Sequence, residues 1–399
     1  MPTLSAPDLD GLVFRSTDEG PGLHVLLVGV SKYPHLLDGD QPSPNARGLR
    51  QLDCAARTAM EIYGWLTRPD TTLGHPLRTV RILASPSEAE LITAPDLAEA
   101  IPATRANLEI AAVAWRDDAA KDRDGATLFY FAGHGIQRTR GDSLLLLADF
   151  LGAGPMLARS FDLSCIYDGM AEPDFPDIAQ TQYYFVDACR TDLPDVQKLA
   201  NASAPALWDV TLGGTDERIA PIFHAATAGK VAFGSTVPGE VSAFGKDLLA
   251  CLGGAGAENV RGPNGRARWE VTIGTLANAL PVLIRDADQP RGRRARSFGL
   301  DKWTDMDATI TVLPDAPTVD CLLQLSPAGA EACISVDLTL GGGPYCFTAP
   351  LDNPHAFKAK AGGYLLRTSV LPDATLTFAP FEEVVTVLPP RFTHSVFLQ

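Results

Sequence analysis

Short apolar runs, each ended by a polar or glycine-rich break, recur through the first half of the chain and beyond. His24-Val25-Leu26-Leu27-Val28-Gly29-Val30, Thr79-Val80-Arg81-Ile82-Leu83-Ala84, Leu128-Phe129-Tyr130-Phe131-Ala132-Gly133, Tyr183-Tyr184-Phe185-Val186 and Pro221-Ile222-Phe223-His224-Ala225-Ala226 are such runs. They are short and almost wholly apolar, which predicts strands buried on both faces of a parallel sheet. Helical spacing separates them. Leu52, Ala56, Ala59, Tyr63 and Leu66 recur at intervals of four and three, one buried stripe. Thr104 stands where an N-cap belongs, ahead of Leu108, Ala111, Ala112 and Trp115 on one face. Phe244, Leu248 and Leu252 line a further helix stopped by Gly253-Gly254, and Thr272 to Ile284 a last one kinked at Pro281. Leu144 to Leu147 is a small extra strand or hairpin arm. Strands alternating with helices predict an α/β fold with a mostly parallel sheet flanked by helices.

Near residue 315 the pattern changes. Cys333-Ile-Ser-Val-Asp-Leu, Tyr364-Leu-Leu-Arg-Thr-Ser-Val, Glu383-Val-Val-Thr-Val-Leu and Ser395-Val-Phe-Leu alternate between Gly, Pro and Asp turns. That predicts a small all-β sandwich of the immunoglobulin type over 316–399, suited to partner recognition or scaffolding, after a first domain over 1–315. Within the first domain, residues 191–220 carry little periodicity, and an unpatterned stretch of that length is usually functional or disordered.

Composition narrows the function. The 399 residues carry a net charge of −15, which argues against nucleic acid or an anionic membrane surface as the main partner. Met1 to Gly20 lacks the apolar core of a signal peptide, and no apolar run reaches the length of a membrane span. Seven cysteines without paired spacing suit a reducing cytoplasm. No CxxC and no His at metal-ligand spacing supports zinc, and no phosphate-cradling glycine loop follows the first strand. The basic run from Arg291 to Arg296 reads as a solvated loop.

Two of the apolar runs end in chemically loaded residues, His134 and Cys189. In an open α/β sheet chemistry gathers beyond the carboxyl ends of the strands, so these two side chains can be neighbours. A thiol with an imidazole beside it is a nucleophile with its own acid-base partner. Gly133 and Gly135 remove bulk around the histidine, and the amides of Gly135 and Cys189 can hold an oxyanion. Asp187, two residues before Cys189 on one strand, shares its face and should border any substrate pocket there.

Phe-Ala-Gly-His-Gly (131–135) and Val-Asp-Ala-Cys-Arg (186–190) resemble the His and Cys motifs of the caspase and metacaspase superfamily. The resemblance implies a cysteine endopeptidase with His134 and Cys189 as its dyad. It implies a large-subunit-like part (20–190), a linker (191–220) and a small-subunit-like part (221–315), and it places Asp53 in the substrate pocket with Asp187. Ala132 and Ala188 stand where the family more often has Ser. Two pocket carboxylates favour cleavage after Arg or Lys. Arg47 resembles an arginine with which animal caspases bind aspartate, but those pair it with a Gln where this chain has Asp187. Lys198 and Arg218 are the candidate linker cut sites of a zymogen-like switch run by an upstream protease. The aspartate pair expected of calcium-dependent metacaspases is not evident near Asp149, so no cofactor is assigned. Protein substrates are the expected partners. The alternative is a catalytically silent caspase-fold signalling or scaffold module.

Overall fold

The computed structural model describes the chain except residues 1–3, 5, 138–142, 172–174, 193–203, 212–215, 231, 233, 236, 263, 264, 266, 289–295, 303, 304 and 340–343, and the side chains of 191, 192 and 286–288. The chain forms two compact units, residues 1–249 with 284–308, and residues 250–283 with 309–399. This division differs from a cut at 315. Segment 250–283 belongs with the C-terminal strands, because its own strands Glu258–Arg261 and Ala267–Thr272 build an antiparallel ladder with Thr309–Leu313.

The first unit is built on a seven-stranded sheet of β1 (Leu12–Arg15), β2 (Leu23–Val30), β3 (Leu77–Ser85), β4 (Ala126–Gly133), β5 (Thr181–Ala188), β6 (Ile222–His224) and β7 (Gly299–Asp301). Their order is β1-β3-β2-β4-β5-β6-β7. The five central strands run parallel and the two edges antiparallel, as a mostly parallel sheet requires. β2 and β4 are buried along their whole length, which is why they read as unbroken apolar runs rather than alternating ones.

Helices α1 (Ala55–Leu66) and α2 (Arg105–Ala119) cover the central strands. α2 is capped by Thr104, whose hydroxyl accepts from the Asn107 amide. Its Leu108, Ala111, Ala112 and Trp115 join Leu26, Val28, Phe129, Phe131, Tyr184 and Val186 in one core. Each large side chain buried there contributes about 1.5–3 kcal/mol of transfer free energy. α1 packs on the opposite face, against Gly29, where a Cβ would come within 2.6 Å of the Ala56 Cα. α1 is not the one-striped helix its spacing predicts. Eleven of its twelve residues are buried, and its small residues Ala55, Ala56, Ala59 and Gly64 permit that close approach.

A second, four-stranded sheet lies beyond the histidine, in the order Thr191–Asp192, Gly135–Gln137, Leu144–Leu146, Ser160–Asp162. In the second unit, a three-stranded sheet (His355–Lys360, Thr318–Ser326, Arg391–Phe397) and a four-stranded sheet (Tyr345–Thr348, Ile334–Thr339, Gly362–Val370, Phe381–Val387) share one core. Alternate residues Val319, Cys321, Leu323 and Leu325 point inward from the first, and Ile334, Val336 and Leu338 from the second. One pair in these two sheets, Thr318–Ser326 with Arg391–Phe397, is parallel, and the unit also includes most of the helix Ile273–Asp288. Among the described residues no helix is long and apolar enough to cross a membrane.

Candidate active site

β4 and β5 are neighbours in parallel register, with Gly133 opposite Ala188. The next residue of one is therefore His134, and that of the other is Cys189. Two loaded residues separated by 55 positions leave adjacent strand ends. Gly135 passes so close to Cys189 that a Cβ on it would lie 2.4 Å from the Cys189 carbonyl oxygen and 2.9 Å from the Ala188 Cβ. Only glycine fits there without moving backbone.

The half-buried His134 is held from three directions. Its backbone N–H donates to the Tyr33 hydroxyl at 2.8 Å, and that hydroxyl donates to the Leu146 carbonyl at 3.3 Å. The Tyr33 ring packs on the imidazole with centroids 5.0 Å apart. Its Nε2 lies 2.7 Å from the Arg50 carbonyl. A carbonyl only accepts, so this bond puts the imidazole proton on Nε2 and leaves the Nδ1 lone pair as the base. Arg50 is delivered by its neighbour. The Gln51 carboxamide accepts from the Tyr33 N–H and donates to the Tyr33 carbonyl, both at 2.7 Å, folding the loop after β2 back on itself.

Cys189 is half-buried, and its thiol donates to the Ala232 carbonyl at 3.8 Å. The segment after β6 is laid across this strand end by backbone bonds. Arg190 N–H donates to the Lys230 carbonyl, and Gly229 N–H donates to both the Arg190 carbonyl and the Gln137 side chain. Burial pushes the Cys189 thiol pKa up, and burial also pulls the His134 pKa below its ordinary 6.5. Both causes favour the neutral forms. Among the described residues the imidazole and thiol share no hydrogen bond, each being held by a carbonyl. Burial thus favours a neutral thiol and a neutral imidazole over an ion pair.

Asp187 is 6% exposed. Its Oδ2 accepts from the Tyr130 hydroxyl at 3.2 Å and from the Ser242 hydroxyl. Oδ1 has no hydrogen-bond partner among the described residues. Burial pushes its carboxyl up to about 6, with the two hydroxyls and the charge of Arg296 acting against that rise. Cys54 lies in the same region, its buried thiol pushed up to about 12 by burial first and then by the charge of Asp187. Asp53 is half-buried, its carbonyl accepting from the Gly239 N–H. Arg47 is exposed at a positive φ of 53°, on the surface loop before α1.

Two expectations about basic residues meet a different structure. Arg218 is 3% exposed, not an open cut site. Its guanidinium pairs with both oxygens of Asp216 at 2.8 Å, reaches the Tyr167 carbonyl and Gln182 Oε1, and stacks over the Tyr167 ring at 4.6 Å. Cleavage after it would first have to break those contacts. Lys198 lies outside the described residues. Arg296, at the end of the basic run, is half-buried and pairs with Asp247 at 2.8 Å rather than standing in solvent. An acidic partner distant in sequence decides its environment. His24 is a satisfied strand histidine, bonded to Thr79 and Asp122.

Tyr33, Gln51, Tyr130 and Ser242 carry this site, yet none falls in a motif. Only Tyr33 gives a signal, as a lone aromatic in the polar break after β2.

No family model matches the chain. It is 26% identical over 262 residues to the uncharacterized protein y4kE of Sinorhizobium fredii (strain NBRC 101917 / NGR234), covering 64% of this chain and 71% of that one. Among solved structures, that of pro-sf-caspase-1 is similar with a TM-score of 0.38 at 9% identity, over 75% of this chain and 89% of that one. A likeness of that size assigns neither fold nor function.

Proposed function

We propose that this protein is a caspase-like cysteine endopeptidase that cleaves protein substrates after Arg or Lys. The observation that carries the reading is the adjacency of His134 and Cys189 at neighbouring ends of a parallel sheet, within the two motifs that resemble the caspase and metacaspase superfamily. Substrate binding displaces the thiol from the Ala232 carbonyl. His134 Nδ1 then takes the thiol proton as sulfur attacks the scissile carbonyl carbon, giving a tetrahedral oxyanion beside the Gly135 and Cys189 amides. Collapse expels the amine, which leaves with the proton returned by His134, and a thioester remains. Water, deprotonated by the same imidazole, releases the acid and regenerates the thiol.

Oδ1 of Asp187, and the Asp53 carboxylate at the head of α1, support the choice of a cationic side chain. A linker cut after Arg218 would first require release of its bonds to Asp216 and to the Tyr167 carbonyl. The test is a matched pair of fluorogenic peptides differing only before the scissile bond. The Arg peptide turns over faster than the Asp peptide, and Cys189→Ala abolishes both. Faster turnover of the Asp peptide overturns the specificity. Catalysis that survives in Cys189→Ala overturns the mechanism. A silent scaffold would hydrolyse neither peptide.

A further inference from the structure

One buried side chain beside the candidate pocket has more bonds than its obvious duty needs. Ser242 is 2% exposed and stands just ahead of α3 (Ala243–Ala250). Its hydroxyl accepts from the Gly245 N–H at 2.9 Å, which caps the helix. A cap uses only the oxygen. The hydroxyl hydrogen goes instead to Oδ2 of Asp187. The Ser242 backbone N–H donates to Thr58 Oγ1 on α1 at 2.9 Å, and that hydroxyl donates to the Cys54 carbonyl at 2.6 Å. Ser242 thus ties the catalytic strand β5 to α3 and to the head of α1, the elements that surround the candidate pocket.

We propose that Ser242 is a positioning residue for substrate recognition: with Tyr130 it occupies Oδ2 of Asp187 and leaves Oδ1 free to accept from the guanidinium or ammonium of the residue before the scissile bond. The inference rests on the peptidase reading for the identity of that pocket. A carboxylate held by one oxygen cannot rotate away from an incoming cation, so its acceptor is in place before binding.

The same geometry fixes a pH dependence. Asp187 faces Tyr130 from β4, Ser242 ahead of α3, Cys54 ahead of α1 and Cys189 on its own strand end. The ion-paired Asp247 and Arg296 also act on it. A cation binds Asp187 only when the carboxyl is ionised, so affinity is present above its pKa and is lost as pH falls through it. The Ser242 hydrogen bond favours the ionised form. Removing it raises the pKa, so affinity is lost at a higher pH. A residue that merely caps α3 would not move that limb.

The probe is agmatine, an arginine side chain without a scissile bond, titrated calorimetrically into the full chain across neutral and mildly acidic pH. Ser242→Ala is expected to weaken binding about tenfold at neutral pH, in line with loss of a hydrogen bond to a charged group, and to move the acid limb upward. Ser242→Thr restores both. Tyr130→Phe moves the limb the same way by less, without touching the helix cap, and carries the test if Ser242→Ala does not fold. Parent-like affinity and an unmoved limb in Ser242→Ala or, where that variant fails to fold, in Tyr130→Phe overturn the inference. So does a parent chain that does not bind agmatine. The peptidase reading is judged separately, by hydrolysis lost in Cys189→Ala.

Discussion

The two halves of the proposed dyad are supported in different ways. His134 sits in a frame of side chains: the Tyr33 hydroxyl on its amide, the Tyr33 ring on its imidazole, and Gln51 folding the loop that brings the Arg50 carbonyl to Nε2. Cys189 is held mainly by backbone among the described residues: its thiol meets the Ala232 carbonyl, and Lys230 and Gly229 bond the backbone of Arg190 beside it, with the Gln137 side chain also accepting from Gly229. A frame of packed side chains fixes orientation, whereas a few backbone bonds can be exchanged for those of an extended substrate at little cost. On the proposed mechanism the base is therefore preset, and the nucleophile is the half that substrate must release.

The largest effects break both halves. His134→Ala or Cys189→Ala should each lower kcat/KM by about a thousandfold or more, while the melting temperature stays near that of the parent. Either variant turning over at a near-parent rate would dissolve the comparison. Gly135→Ala comes next. The added methyl meets the Cys189 carbonyl, so the two strand ends must part, at about 1–3 kcal/mol of stability and about a hundredfold in kcat. Denaturant unfolding and steady-state kinetics measure the two losses.

Tyr33→Phe sharpens the comparison from the histidine side alone. It leaves the His134 amide and the Leu146 carbonyl without their shared hydroxyl, for about 1–3 kcal/mol of stability. It should lower kcat about tenfold with KM little changed, because it disturbs the base and not the pocket. A change in KM alone would mean that Tyr33 serves substrate binding instead. The smallest effect is in pH. His134 must be neutral to accept the thiol proton, so activity is present above its pKa and lost as pH falls through it. Burial holds that pKa below 6.5, so the acid limb of kcat should lie below that value. A limb centred above it would mean that the imidazole is stabilised as a cation, contrary to the frame described.

What could be read in the residues follows the same divide. The strand pair Ala126–Gly133 and Thr181–Ala188 was legible because strands buried on both faces leave long apolar runs that end where chemistry begins. α2 was legible because Thr104 and a regular stripe mark it. The edge strands Leu12–Arg15 and Gly299–Asp301 were not, since a few residues paired on one side leave no period to detect. Placement of Ala250–Leu283 in the second unit was hidden too, because pairing between Ala267–Thr272 and Thr309–Leu313 is set by contact and not by local pattern. Arg218 reads as an accessible linker cation and Arg296 as part of a solvated loop, but their partners Asp216 and Asp247 are set by tertiary contact and leave no local signature. At the site, motifs marked the residues that would react. Tyr130 came from inside β4, where nothing distinguished it from its apolar neighbours, and Tyr33, Gln51 and Ser242 came from irregular segments, where single hydrogen bonds rather than periodicity determine structure.

The most direct test of the central claim uses the seven cysteines of the chain as internal competitors. The full-length protein is treated with a peptidyl-arginine chloromethyl ketone or its aspartate counterpart, digested, and mapped by mass spectrometry. A dyad formed by His134 and Cys189 predicts an adduct on Cys189 alone, from the arginine reagent far faster than from the aspartate one, and lost in His134→Ala. Alkylation spread over other cysteines, or a Cys189 adduct that forms as fast in His134→Ala, would contradict it.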